Sequence, residues 1–275
     1  MTTLLHISDT HFGTEQAPVV EALAALAVQL SPDLLVLSGD ITQRARTAQF
    51  AAARRFIDRL ALPFVSIPGN HDLTVVNPLA RLLAPYTGYH RVFGTVMEPV
   101  HESAGLLVQC VKTTRWWRHI EGEVSAAQIE RVAARLRSAR PEQLRVVVVH
   151  QPLYVEGEAE ARHLLRGCDA ALTRWAEAGA DVVLGGHIHL PYVAELIPPG
   201  AHGARIVIAQ AGTALSSRVR RGIPNSVNVI RHEASDAARC AIERWDFSAA
   251  RGEFQRIDAR TFELQRHEAA QVPCS

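Results

Sequence analysis

Apolar positions along the chain fall into short runs separated by stretches with a helical repeat. The runs are Leu4 to Ile7, Leu34 to Leu37, Phe64 to Ile67, Leu106 to Val111, Arg145 to Val149 and Val182 to Leu184. Most are rich in Val, Ile or Leu, the composition of strands buried on both faces. Between them, Val19, Val20, Leu23, Leu26, Ala27 and Leu30 recur at helical spacing, with Pro32 just past the helix end. A second helix fits Thr47 to Leu60, with Phe50, Ala53, Ile57 and Leu60 on one face. Ser125-Ala-Ala-Gln128 reads as a capping box opening a third, through Ile129, Val132 and Leu136. Arg162 to Ala178 supplies a fourth. Strands alternating with helices specify an α/β fold. From Tyr192 onward the pattern changes. Tyr192 to Ile197, Arg205 to Gln210, Val227 to Arg231 and Cys240 to Phe247 read as strands with no long helix between them, so the last third is mainly β. The whole chain, 1–275, reads as one domain. Residues 77–105, with Pro78, Pro85, Gly88, Gly94 and Pro99, read as an insertion or lid, and about 250–275 as a loosely held polar tail.

The residues that carry chemistry stand at the carboxyl ends of these runs. The first run leads to Asp9 and His11, the second to Asp40, the third to Asn70, His71 and Asp72. Two later runs lead to His150 and to His187 and His189. Singly, each has a structural reading: Asp-x-His and Gly-Asp are common in turns, and a lone histidine is often a satisfied core residue. Five strand ends in series, each carrying metal-binding side chains, are not explained that way. In open α/β sheets ligands bind at the carboxyl ends of strands, so these side chains are expected to converge.

Composition narrows the class without choosing the chemistry. Hydrophobic residues make up 48% and charged residues 21%, which is globular usage and excludes a disordered chain. The formal charge of +1 offers no basic field for nonspecific nucleic-acid binding. Cys110, Cys168, Cys240 and Cys274 stand far apart, with neither a CxxC pair nor a dense disulfide pattern. The start lacks the basic and apolar regions of a signal peptide, and no apolar run reaches membrane-spanning length. The expected location is the cytoplasm.

The ordered series Asp9-x-His11, Gly39-Asp40, Gly69-Asn70-His71-Asp72, His150 and Gly186-His187-x-His189 resembles the calcineurin-like metallophosphoesterases. Within that superfamily the length and layout resemble the bacterial cyclic-nucleotide phosphodiesterase-like group. The resemblance implies a two-sheet β sandwich flanked by helices, an α/β/β/α arrangement, with a binuclear metal site at the strand ends. One ion would take Asp9, His11, Asp40 and His189, the other Asp40, Asn70, His150 and His187, with Asp40 bridging. A donor set of imidazole, carboxylate and amide without thiolate suits Mn, Fe or Zn. The implied reaction is hydrolysis of small phosphodiesters, cyclic nucleotides included, by attack of a metal-bridging hydroxide.

In the family the histidine after the asparagine is not a ligand; His71 would stabilise the phosphoryl group or protonate the leaving alkoxide. Arg44, four residues after Asp40, matches a phosphate-contacting arginine of the related protein phosphatases. Substrate contacts are therefore expected from Arg44, Asn70 and His71. Gln43 stands where those phosphatases have an acidic residue. Arg115-Trp116-Trp117-Arg118 either lines the mouth or packs under a neighbouring loop. The expected partner is a small phosphoester, with a dimer allowed. Alternatives are a repair-type nuclease, a lipid-precursor pyrophosphohydrolase (which usually carries Gly-Asn-Arg-Asp), and a non-catalytic scaffold, which usually loses ligands.

Overall fold

The computed structural model describes residues 1–74, 78–118 and 120–265. Among them, strands form two six-stranded sheets. In spatial order the first holds β12 (Glu253–Glu263), β11 (Arg239–Ser248), β10 (Ser226–His232), β1 (Thr2–Ile7), β2 (Leu34–Leu37) and β3 (Phe64–Ser66). The second holds β4 (Val100–Glu102), β5 (Leu106–Cys110), β6 (Leu144–Val148), β7 (Val182–Gly185), β9 (Ile206–Gln210) and β8 (Tyr192–Leu196). β1, β2 and β3 run parallel, as do β5, β6, β7 and β9.

Alternate side chains along a strand point to opposite faces, and here both faces are covered. Leu4, Leu34 and Val36 meet Val108, Val146, Val148 and Leu184 between the sheets. Leu5, Ile7, Leu35 and Leu37 pack outward with Leu23 of α1 (Ala17–Leu30) and Phe50 of α2 (Thr47–Leu60). On the other side Val147, Val149 and Val183 pack with Val132 of α5 (Ala126–Arg137) and Trp175 of α6 (Cys168–Glu177). The layers are therefore α/β/β/α, and two-sided burial explains the unbroken apolar runs. Each fully buried Val, Leu or Ile contributes about 1.5–3 kcal/mol of transfer free energy. The capping box forms as expected: Ser125 Oγ accepts from Gln128 N at 3.3 Å, and Gln128 Oε1 from Ser125 N at 3.1 Å.

Three expectations are corrected. The helix expected over Arg162 to Ala178 begins only at Cys168; before it, Glu158–His163 is a 3₁₀ turn. Leu165 N donates to Pro152 O and Arg166 N to Gly122 O, so the backbone bonds of a helix there are already spent on neighbouring loops. Residues 78–105, read as an insertion or lid, are built into the fold. They supply α3 (Pro78–Leu83), α4 (Thr87–Phe93) and edge strand β4, which pairs with β5. Tyr89 of α4 is fully buried with its hydroxyl 2.8 Å from Ser66 Oγ. The expected tail contains β12, paired with β11 along its length and anchored by buried Phe254 and Phe262. Residues 266–275 of the expected tail and residue 77 of the expected lid lie outside the described residues.

Candidate metal centre

Parallel strands deliver their carboxyl ends in one direction, and the two sheets bring five such ends to one place. The loops after β1 and β2 are stitched together by Asp9 N to Gly39 O and His11 N to Asp40 O, each 3.0 Å. Gly186 N donates to His150 O at 3.0 Å, joining the loops after β6 and β7. Asp9, His11, Asp40, His187 and His189 all have positive φ, from 41° to 74°. Left-handed backbone is unfavourable for residues with a Cβ and persists only where the surroundings enforce it. Gly69 allows a close approach, since a Cβ there would overlap Asp40 N and Oδ1.

All seven expected ligands meet. In one group Asp9, His11 and His189 present ligand atoms within 4.8 Å of one another, and in a second group Asp40, His150 and His187 do the same. Asn70 Oδ1 joins the second group, 3.2 Å from His150 Nε2 and 3.0 Å from His187 Nδ1. Asp40 stands between the groups: Oδ1 is 3.2 Å from His150 Nε2, and Oδ2 is 3.7 Å from His11 Nε2. Backbone carbonyls aim the rings. His150 Nδ1 lies 2.8 Å from Ser38 O and His189 Nδ1 lies 2.7 Å from Arg218 O. Only a protonated nitrogen can bond a carbonyl, so in each neutral ring Nε2 presents its lone pair to the cluster.

This arrangement fits a pair of cations. Asp9 Oδ2 accepts from Ser8 Oγ and His187 N, at 2.6 and 2.8 Å. Its buried Oδ1 accepts no well-formed hydrogen bond, although His189 Nε2 lies 3.1 Å away. Buried acceptors without partners are rare and ask for an electrophile. Protonation agrees. Burial holds His11 and His187 down at about 3, so both rings are neutral. Burial would also raise the Asp40 carboxyl, but His150 and the other nearby histidines hold it well below the usual range. For His150, burial is outweighed by the Asp40 charge, which pushes the ring up to about 9. A proton on His150 thus stands where a cation would, and metal binding must displace it.

His71 belongs to neither group. Its Nδ1 lies 2.9 Å from Gln43 O, and its Nε2 lies 3.3 Å from Arg218 Nη1. Asp72, legible only as the end of a motif, is a brace: its buried carboxylate accepts from Ile41 N, Thr42 N, Thr42 Oγ1 and Gly69 N. Burial and the Asp40 charge push its carboxyl up to about 6 despite those donors.

A cavity of about 540 Å³ opens over Asp40, Asn70, His71, His187 and His189. Arg44 is exposed and does not line it; its backbone N–H donates to Gln49 Oε1 at 2.9 Å. Trp116 and Trp117 lie outside it too, 38% and 55% exposed and edge-to-face with each other. His163, Arg162, Arg218 and Arg220 line it instead. None belongs to a motif, and only the folded loops bring them there.

Residues 2–191 match the profile of the calcineurin-like phosphoesterase family. Among similar curated proteins is the glycerophosphodiester phosphodiesterase GpdQ of Enterobacter lignolyticus (strain SCF1), 38% identical over 82 residues, 25% of this chain and 29% of that one. A probable cyclic nucleotide phosphodiesterase of Synechococcus sp. is 37% identical over 60 residues, 22% of this chain and 24% of that one. The DNA double-strand break repair protein Mre11 of Saccharolobus solfataricus is 34% identical over 87 residues, 26% of this chain and 23% of that one. The chain thus spans about a quarter of the length of the curated relatives it matches. Among solved structures, the purple acid phosphatase PPD1 of yellow lupin (Lupinus luteus) superposes with a TM-score of 0.72 at 12% identity, over 95% of this chain and 53% of that one. With its profile matched from β1 through the His187 and His189 loop, the chain belongs to the calcineurin-like phosphoesterases, a family of metal-dependent hydrolases.

Proposed function

We propose that the chain is a two-metal phosphodiesterase hydrolysing small phosphodiesters, cyclic nucleotides among them, in the cytoplasm. The observation that carries this reading is the pair of three-residue ligand groups on either side of the Asp40 carboxylate. In this reading one ion takes Asp9, His11, Asp40 and His189, and the other takes Asp40, Asn70, His150 and His187. Mn, Fe or Zn suits the nitrogen and oxygen donors. When bound, such ions supply Lewis-acid activation of water and neutralise charge on the phosphoryl oxygens.

The chain's own groups do the rest. Asp40 holds the two groups in register, and Asn70 presents an amide oxygen between two imidazoles. His71 is the group that acts on the phosphoryl oxygens or the leaving alkoxide. Its Nδ1–H is committed to Gln43 O, so donation from Nε2 requires the doubly protonated ring. The GpdQ and cyclic nucleotide phosphodiesterase relatives support small diesters as the substrate class. A nuclease reading has the Mre11 relative in its favour, while the +1 charge gives no excess to neutralise duplex phosphates. One comparison separates them: kcat/KM for bis(p-nitrophenyl) phosphate, cyclic nucleotides, p-nitrophenyl phosphate and single- and double-stranded DNA at fixed Mn and moderate salt. A small diester should lead. If either DNA leads every small diester, the nuclease reading replaces this one.

A further inference from the structure

The cavity wall beyond the ligands is cationic. Arg218 reaches over the site with Nη1 3.1 Å from Gln43 Oε1, 3.3 Å from His71 Nε2 and 3.5 Å from His11 Nδ1. Arg162, on the 3₁₀ turn after β6, donates from Nε to His163 Nε2 at 3.3 Å. Among the described residues neither guanidinium has a carboxylate at ion-pair distance. Arg220 differs, because its Nη1 lies 3.0 Å from Glu160 Oε2, so its charge is met inside the protein. Among the described lining residues Asp40 is the only carboxylate, already shared by both ligand groups in this reading, and no Phe, Tyr or Trp offers a ring to stack on a base.

Charge counting then bears on the substrate. Two divalent ions, set against Asp9, Asp40 and the attacking hydroxide, would leave one positive charge, and Arg162 and Arg218 add two more. An ordinary diester phosphate brings a single negative charge. We infer that Arg162 and Arg218 form an anion subsite beside the ligand groups that selects phosphodiesters carrying a second negative charge. The inference rests on the phosphodiesterase reading and narrows the substrate class of the same site, ranking singly charged diesters such as cyclic nucleotides behind doubly charged ones. Guanidinium donors form charge-assisted, often bidentate bonds with carboxylate or phosphate; Arg218 is half-buried over the ligand groups, where screening is reduced, and Arg162 stands exposed at the cavity wall.

The test is a matched pair of chromogenic diesters, p-nitrophenyl ethyl phosphate and p-nitrophenyl 2-carboxyethyl phosphate, with the Mn-loaded full chain. They share the reacting phosphoryl group and the leaving group and differ by one carboxylate. The carboxylated diester should be preferred roughly tenfold or more in kcat/KM, the range of a hydrogen-bonded charge pair. R162Q and R218Q should each shrink that ratio severalfold. The ratio is insensitive to a common loss of folded or metal-loaded protein. Equal rates on the two diesters, or an unchanged ratio in both variants, overturn the inference. If neither diester is hydrolysed, the phosphodiesterase reading fails while the subsite stays testable by calorimetry. The Mn-loaded chain should then bind 3-phosphonopropionate more tightly than ethylphosphonate, and R218Q should lose the difference. No difference in the unaltered chain overturns the subsite.

Discussion

In the proposed two-metal reading Asp40 serves both candidate ligand groups, and its replacement separates a shared carboxylate from two independent sites. Asp40→Asn should lower the occupancy of both ions, measured by elemental analysis after gel filtration. Loss of one ion alone would assign the carboxylate to a single group. His71 should behave in the opposite way. His71→Ala is expected to keep both ions and lower kcat by about 10²–10⁴-fold, the usual contribution of an acid–base or charge-stabilising group. If the role is protonation of the leaving group, the loss should be smaller with nitrophenolate than with an alkoxide. A missing ion in this variant would put His71 among the ligands. At this scale the convergence of the seven expected ligands was legible because each stands just after an apolar run at a strand end, while the choice of ligands among the strand-end residues, His71 and Asp72 excluded, came from the family resemblance. His163, Arg162 and Arg218 were not, since they arrive through loops whose paths depend on backbone bonds to remote segments such as Pro152 and Gly122.

Among the elements, strands buried on both faces were the most legible, and β12 the least. Its inward signal is confined to Phe254 and Phe262 near its two ends, while most positions between them are exposed. Its place is set by a partner strand, not by its own periodicity. β1 carries a different device. His6 is fully buried, with Nε2 2.9 Å from Ser38 Oγ and Nδ1 3.3 Å from Asn228 Nδ2. Asn228 Nδ2 can only donate, so Nε2 carries the proton of a neutral ring. Burial, only partly opposed by the Asp9 charge, lowers its pKa from 6.5 to about 3. The unfolded chain therefore binds one more proton than the folded chain between those values. The stability this neutral ring contributes is intact above pH 6.5 and is lost as pH falls toward 3, by about 5 kcal/mol at most. In urea titrations of the metal-free protein, His6→Gln should show a shallower acid limb than the unaltered chain, by up to one proton. Identical slopes would remove His6 from the account.

For the whole molecule, the decisive feature is that the expected ligands come from both sheets: Asp9, His11, Asp40 and Asn70 from one, His150, His187 and His189 from the other. Bound ions would join the two sheets at one edge of the interface otherwise held by the apolar packing around Leu4, Val36, Val146 and Leu184. An ion that binds only the folded chain stabilises it by about 2.7 kcal/mol at a hundredfold excess over its Kd. At this size that corresponds to roughly 5–10 °C in Tm per ion. Chelation should lower Tm by at least that much and restored metal should recover it, read by calorimetry. A Tm indifferent to chelator would mean that the groups hold no ion. The layered α/β architecture was legible from alternating strands and helices, but the division into two sheets entered only through the family resemblance. Periodicity reports that a face is buried, not whether a helix or another sheet covers it.

The left-handed backbone at Asp9, His11, Asp40, His187 and His189 also bears on how the chain would drift over generations. Each of these residues occupies a conformation that glycine tolerates at little cost and a side chain with a Cβ does not. In a duplicate of the gene released from selection for hydrolysis, glycine at one of these positions would relieve the backbone while giving up side-chain bonds such as those of Asp9 Oδ2 with Ser8 Oγ and His187 N. Drift would reach the ligand loops before it touched the strands behind them. Keeping an active copy requires continuous purifying pressure on five positions at which the backbone favours a smaller residue.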